Sequence, residues 1–364
     1  MSPIQAGGAA PPFRKLLVAN RSEIAIRVLR AASELGIRTV AIFSHEDRFA
    51  LHRFKADQSF LVGKGKEPVA AYLDIDDILR IAHDAKVDAI HPGYGFLSEN
   101  PDFAEACGKA GITFIGPKPD VMRGFGSKVE ARALAEKAGI PVMPATGALP
   151  YDDKEVEKLA EEVGYPIMAK ASWGGGGRGM RVIEGPGDLH EQIAAGRREA
   201  KAAFGNDEVF LEKLVRQARH VEVQILGDTH GNVIHLFERD CSMQRRNQKI
   251  VERAPAPYLS EAKRAELCDA AVRLAQTAGY ECAGTVEFLM DAETDKIYFI
   301  EVNPRIQVEH TVTEEVTGVD LVKAQIRIAA GARIGEPDSG VPPQHQLKLD
   351  GNALQCRITT EDPL

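Results

Sequence analysis

The segment Pro166-Ile-Met-Ala-Lys-Ala-Ser-Trp-Gly-Gly-Gly-Gly-Arg-Gly-Met-Arg-Val-Ile183 decides how the rest of the chain is read. Its glycines are Gly174, Gly175, Gly176, Gly177 and Gly179. A backbone so bare can approach a ligand closely and offer several N–H groups to phosphate oxygens. The flanks say more than the glycines. Ile167 to Ala171 and Met180 to Ile183 both read as strands, which gives strand–loop–strand. A P-loop or a dinucleotide-binding turn would run into a helix, and neither Gly-Lys-Ser nor Gly-Lys-Thr occurs here. The pattern predicts a flap between two strands that closes over a nucleotide. Lys170 stands in an otherwise apolar strand, where a phosphate would supply the partner a lone ammonium needs.

Downstream, Glu208 to Val215 reads as a strand closed by Glu212 and Lys213, placed to read a base or ribose hydroxyls. His220 to Ile225 and Val233 to Phe237 alternate in polarity, as antiparallel strands do. Arg239 to Lys249 is a charge run, of the kind that is usually a solvated face. Lying between strands, it could instead hold an oxyanion with cations such as Lys249. Ala283 to Met290 is a further strand, with Glu287 its single charge.

Tyr298-Phe-Ile-Glu-Val-Asn-Pro-Arg-Ile-Gln-Val-Glu-His310 follows. A period of two sets Phe299, Glu301 and Asn303 on one face and Tyr298, Ile300 and Val302 on the other. Across the Asp291–Lys296 turn Glu287 could face Glu301. Glu287, Glu301 and Asn303 would then hold Mg²⁺ or Mn²⁺ while leaving positions for phosphate oxygens. Pro304 ends the strand, and Arg305, Gln307, Glu309 and His310 crowd the loop beyond it.

Upstream, Lys15 to Ala19, Thr39 to Phe43, Val87 to His91 and Ile112 to Ile115 are apolar runs between helical stretches, which implies a parallel sheet. The first turn, Ala19-Asn-Arg-Ser-Glu23, has no glycine, so the NAD fingerprint is absent. His91-Pro-Gly-Tyr-Gly95 sits at the carboxyl end of its strand, where open sheets bind ligands, though Gly93 and Gly95 equally suit a plain turn. Ser127-Lys-Val-Glu130 fits a capping box, with Lys128 in the first helical turn, where it would either meet a bound phosphate or stand solvated. At the other end, 335–343 reads as a Pro/Gly-rich linker and Leu354 to Ile358 as a new strand.

The net charge of -8 and the scattered basic residues argue against nucleic acid or a membrane surface as partner. Five cysteines without Cys-x-x-Cys spacing suggest reduced thiols and a cytoplasmic location. Residues 1–12 read as a disordered tail.

The flap, the paired acidic strands and the loop after them resemble the ATP-grasp ligases. Ala19-Asn-Arg-Ser-Glu-Ile-Ala25, His91 to Gly95, Gly174 to Met180, Glu238-Arg-Asp-Cys-Ser-Met-Gln-Arg-Arg246 and Arg305-Ile-Gln-Val-Glu-His310 are similar to the biotin carboxylase part of biotin-dependent carboxylases. Lys170-Ala-Ser-Trp173 and Glu301-Val-Asn-Pro-Arg305 set the chain apart from bacterial acetyl-CoA carboxylase subunits. The resemblance implies an α/β and α+β chain: an N-terminal parallel-sheet (pre-ATP-grasp) domain over 13–126, then an ATP-grasp domain over 127–340 with a lid at about 142–215. Residues 345–364 would begin a truncated C-terminal subdomain. It makes Lys128, Lys170, the five glycines, Met180, Glu212, Lys213, Leu214, His220, Gln244 and Asn247 the ATP contacts, with Glu287 and Glu301 beside them. Glu287, Glu301 and Asn303 become metal ligands. Lys249, Arg305, Gln307, Val308 and Glu309 surround bicarbonate, with Glu309 as base, and Arg357 approaches biotin. ATP, Mg²⁺ or Mn²⁺ and biotin are the implied cofactors, the biotin carried on another domain. A carboxyltransferase domain absent from the chain and a homo-oligomer are the implied partners.

Overall fold

The computed structural model describes residues 13–172, 180–246 and 248–359. The expected tail, Gly174 to Gly179, Asn247 and residues 360–364 lie outside the described residues.

Lys15–Val18 (β1) is apolar and buried beyond its first residue, and Ser22–Glu34 (α1) buries Ile24, Ala25, Val28 and Ala32 against the sheet it starts. Arg38–Phe43 (β2), Gln58–Leu61 (β3), Ala89–His91 (β4) and Thr113–Phe114 (β5) complete that sheet. Pro68–Tyr72 (α2), Ile75–Asp84 (α3) and Pro101–Lys109 (α4) connect them. All pairings are parallel, in the order β3-β2-β1-β4-β5, as the alternation of strands and helices implies. β1 and β4 are neighbours, so the loops after them meet at the sheet's carboxyl edge.

Pro119–Gly126 (α5) and Lys128–Lys137 (α6) lead away from it. Ser127 caps α6 through the Glu130 N–H at 3.3 Å. Its own N–H, which the second half of a capping box would use, donates to the Arg123 carbonyl at 3.2 Å because α5 ends one residue earlier.

Asp153–Val163 (α7), Ile167–Ala171 (β6), Arg181–Ile183 (β7), Leu189–Phe204 (α8) and Val209–Lys213 (β8) form a small antiparallel sheet, order β7-β6-β8, backed by the two helices. It has its own core, including Val156, Ile167, Ala169, Ile183 and Leu211. β6 pairs with β7 from Ile167↔Ile183, so the glycine segment does join two antiparallel neighbours.

The main sheet is six-stranded and antiparallel, order β13-β12-β9-β10-β11-β14. Its strands are Ala218–Gly227 (β9), Val233–Arg245 (β10), Gln248–Ala254 (β11), Cys282–Asp291 (β12), Ile297–Asn303 (β13) and Ala353–Cys356 (β14). Glu261–Thr277 (α9), His310–Thr317 (α10) and Leu321–Ala329 (α11) pack around it. One core unites Leu16, Ile24 and Val28 of the N-terminal sheet and α1 with Ile306 and α11. Burial of Ile306 in that core brings the loop beyond β13 up to the carboxyl edge of the parallel sheet.

Three expectations need correction. The charge run is not a connection between strands: β10 continues to Arg245, with Arg239 fully buried. In β13 a register shift between Glu287 and Phe288 leaves Ile300 without a partner, a bulge. Phe299 therefore shares the core side with Ile297 and Val302, and not the face of Glu301 and Asn303. Residues 335–343 are no linker: Ser339 and Val341 are buried, and the Gly335 N–H donates to the Val341 carbonyl at 3.0 Å.

Candidate active site

Strand register builds the site. Directly opposed positions run across four strands as Glu301, Glu287, Glu222 and Arg239, from β13 through β12 and β9 to β10. The next rung sets Asn303, Thr285 and Gln224 side by side. Three carboxylates in one row repel one another unless cations intervene. Lys249 of β11 supplies one, its ammonium donating to Glu222, to Glu287 at 2.7 Å and to Glu309 at 2.9 Å. Burial would lower its pKa, but Glu222, Glu287 and Glu309 outweigh that and hold it above the ordinary lysine value.

Glu287 is the hub. Its Oε1 also accepts from Asn303 Nδ2 and Gln307 Nε2, both at 2.8 Å, and His220 Nε2 lies 2.6 Å from Oε2. Burial pushes this carboxyl up, yet His220 and Lys249 prevail and hold it well below the usual carboxylate range. His220 is lowered by burial and raised further by Glu287, for a net upward shift. Gln244 Nε2 lies 3.2 Å from His220 Nδ1.

Glu301 differs. Desolvation and the facing Glu287 carboxylate both push it up, with Lys249 only partly opposing. Two carboxylates opposed on neighbouring strands suit a hard divalent cation. Asn303 turns its Nδ2 to Glu287 and its Oδ1 to Arg305, so its oxygen would join them only by leaving Arg305. Register sets Glu287 and Glu301 face to face, with Asn303 one rung on, and oxygen donors of this kind suit Mg²⁺ chemically.

Beyond β13, Arg305 donates to Asn303 Oδ1 at 3.0 Å and lies 3.2 Å from Glu99. Glu309 is buried with a cation on each oxygen: Lys249 on Oε1, and Arg357 on Oε2 at 3.0 Å. Arg357 is braced by Glu252 at 2.6 Å, a buried carboxyl raised by desolvation, with Arg357 opposing.

A cavity of about 480 Å³ gathers His220, Gln244, Lys249, Glu287, Glu301, Asn303, Arg305, Gln307, Val308, Glu309 and Arg357, with Tyr94 and Gly95 from the N-terminal sheet. The Asn20 amide donates to the carbonyls of Pro92 and Tyr94 at 2.7 and 2.8 Å, which fixes that second wall. Gly93 has φ +66, and a Cβ there would lie 2.9 Å from Asn20 Nδ2.

Lys128, Lys170, Met180, Glu212, Lys213 and Leu214 do not line this cavity. Lys170 finds its partner in Glu212. Lys213 donates to the carbonyls of Gly164 and Tyr165, each at 2.8 Å, and the Leu214 N–H to the Pro166 carbonyl at 3.0 Å. Glu212 and Lys213, adjacent on a strand, point to opposite faces.

Sequence reasoning missed Glu222, Arg239 and Glu252. A signal existed for the first: in His220 to Ile225 the alternation sets His220, Glu222 and Gln224 on one face and core residues Val221, Val223 and Ile225 on the other. Arg239 is hidden in a run that reads as solvated.

Comparisons with known proteins add the following. Residues 127–336 match the family model described as carbamoyl-phosphate synthase L chain, ATP binding domain, and residues 12–122 match biotin carboxylase, N-terminal domain. Human mitochondrial pyruvate carboxylase is 56% identical over 97% of this chain and 30% of its own length. A structure of Rhizobium etli pyruvate carboxylase superposes with a TM-score of 0.86 at 65% identity, covering 97% of this chain and 31% of that one. The biotin carboxylase domain dimer of Hydrogenobacter thermophilus 2-oxoglutarate carboxylase, in complex with MgADP, ADP and bicarbonate, gives 0.85 at 46% identity, covering 96% and 76%. The chain spans about 30% of the curated relatives it matches.

Proposed function

Because the chain belongs to the biotin carboxylase family of ATP-grasp ligases, we propose that its cavity activates bicarbonate with ATP and carboxylates biotin. The observation that carries this reading is Glu309 held between Lys249 and Arg357, next to the opposed carboxylates of Glu287 and Glu301.

Bicarbonate is a weak nucleophile. Glu309 takes its proton, and the oxygen attacks the γ-phosphorus of ATP as the bond to ADP breaks. The product, carboxyphosphate, divides into carbon dioxide and phosphate. That phosphate removes the ureido proton of biotin, and the nitrogen takes up the carbon dioxide. Arg357 steadies the ureido oxyanion, while Arg305 holds bicarbonate and then phosphate. Gln307 and the Val308 backbone complete the bicarbonate pocket. Magnesium or manganese at Glu287, Glu301 and Asn303 would neutralise phosphate charge. His220 and Gln244 lie to the nucleotide side in this reading, and Asn247 is a nucleotide contact by the resemblance alone. Lys170, Met180, Glu212, Lys213 and Leu214 would meet the nucleotide from the lid and Lys128 from the start of α6, and Gly174 to Gly179 are nucleotide contacts by the resemblance alone.

Transfer of the carboxyl group to pyruvate, giving oxaloacetate, belongs to the same proposal and rests on relatives of which the chain spans under a third. A biotin-bearing carrier domain, a carboxyltransferase domain and a homo-oligomer belong to the proposal too, and a cytoplasmic location rests on the unpaired cysteines rather than on the relatives, one of which is mitochondrial. Among the described residues no helix is long and apolar enough to cross a membrane.

The test is ADP formation from MgATP. The reading expects it to require bicarbonate and to rise with free biotin. ATP cleavage indifferent to bicarbonate would defeat it.

A further inference from the structure

Arg239 is fully buried, and all five of its N–H groups are engaged. Nε donates to Glu222 at 2.6 Å, Nη1 to Gln224 at 2.8 Å and Thr313 at 2.9 Å, Nη2 to Thr285 at 3.2 Å and Gln307 at 2.9 Å. A guanidinium so held has no freedom to turn, and its planar fork fixes the direction of each bond.

The bond to Gln307 has a consequence for the site. Gln307 lies between the guanidinium, which can only donate, and the Glu287 carboxylate, which accepts. One amide orientation satisfies both: Oε1 toward Arg239 and Nε2 toward Glu287. A flipped amide would set its oxygen against the carboxylate and its NH₂ against the guanidinium. Nε2 carries two hydrogens, and the bond to Glu287 uses one. Gln307 lines the cavity, so the second can be aimed at an oxyanion there.

We infer that Arg239 is a positioning residue: through Gln307 it orients an amide donor at the bicarbonate position, without itself touching substrate. This rests on the bicarbonate reading of the cavity. The nucleotide contacts expected from the lid do not pass through Arg239, so the larger effect falls on bicarbonate, although Gln307 and Glu222 also tie Arg239 to the Glu287 cluster.

The experiment uses the full 364-residue chain and measures bicarbonate-dependent ADP formation together with ATP affinity. Arg239→Lys keeps a cation for Glu222 but cannot span to Gln307. It is expected to raise the bicarbonate KM about tenfold or more, with ATP affinity within about twofold. Gln307→Met should do the same, and the double variant should be no worse than the more impaired single one, because both break one interaction. Multiplying effects, an unchanged bicarbonate KM, or an equal loss of ATP affinity would overturn the inference. Should Arg239→Lys fail to fold, Gln224→Met combined with Thr285→Val loosens the guanidinium at two of its five bonds. That variant is expected to raise the bicarbonate KM about threefold with ATP affinity unaltered, and no rise would overturn the inference. A wild-type chain with no bicarbonate requirement overturns the function reading itself. A normal wild type beside insensitive Arg239 variants overturns this inference only.

Discussion

The main-sheet cavity and the lid both carry lysine–glutamate pairs, and they are built on opposite terms. In the cavity Lys249 serves three carboxylates, with side-chain exposure of 14% for the lysine and 0–5% for its partners. In the lid Lys170 meets only Glu212 among the described residues, at 29% and 21%, and Lys213 leans on two local carbonyls. Strand register imposes the first arrangement, because a row of opposed acids needs a cation to be stable. The second is a local pairing that solvent can replace at small cost. The difference teaches that the half of the site proposed to handle bicarbonate is already assembled. The lid lysines must exchange their present partners for phosphate to act as proposed.

That contrast can be broken at several strengths. Glu309→Gln is expected to lower bicarbonate-dependent ADP formation by about 10³-fold, within the usual range for loss of a general base, while ATP affinity stays within about twofold. Unchanged turnover would remove Glu309 as the base. Lys249→Met leaves buried carboxylates without their shared cation. Denaturant unfolding should register a loss of about 3–5 kcal/mol, and a loss under about 1 kcal/mol would show that the row does not depend on it.

A smaller effect concerns Glu314 on α10, which accepts from Arg27 at 3.0 Å and from the Leu321 N–H at 2.7 Å. Burial pushes it up to about 7 from 4.5, with Arg27 opposing and Asp320 adding. A folded-state value above the unfolded one gives stability that is complete below pH 4.5 and lost as pH rises through 7. Relative to Glu314→Gln, the wild type should lose on the order of 2 kcal/mol between pH 5 and 8, read from unfolding midpoints. Parallel profiles would contradict the shift. The smallest change is expected in the lid. Lys213→Met should cost about 1 kcal/mol of stability or less, and weaken ATP binding about tenfold. An ATP affinity equal to wild type would exclude Lys213 from the nucleotide site.

Much of this was legible in the chain. The strand–loop–strand reading around the glycines, the facing of Glu287 and Glu301 and the parallel N-terminal sheet all follow from period and punctuation, which are local properties. What escaped depends on pairing between distant segments. The bulge at Ile300 exists only in the register of β13 against β12, so strict alternation put Phe299 on the wrong face. Arg239 reads as one more charge in a basic run until β9, β12 and α10 close around it. Residues 335–343 have a linker's composition, yet Val341 joins the core that seats Ile306. Lys170 was rightly expected to need a partner, but its partner here is Glu212 across the strand pair.

The central claim is that bicarbonate itself attacks the γ-phosphorus of ATP in this cavity. Supplying ¹⁸O-labelled bicarbonate and analysing the released phosphate by mass spectrometry follows that bond. The account requires one bicarbonate oxygen to appear in each phosphate formed. Phosphate whose new oxygen comes only from water would contradict it.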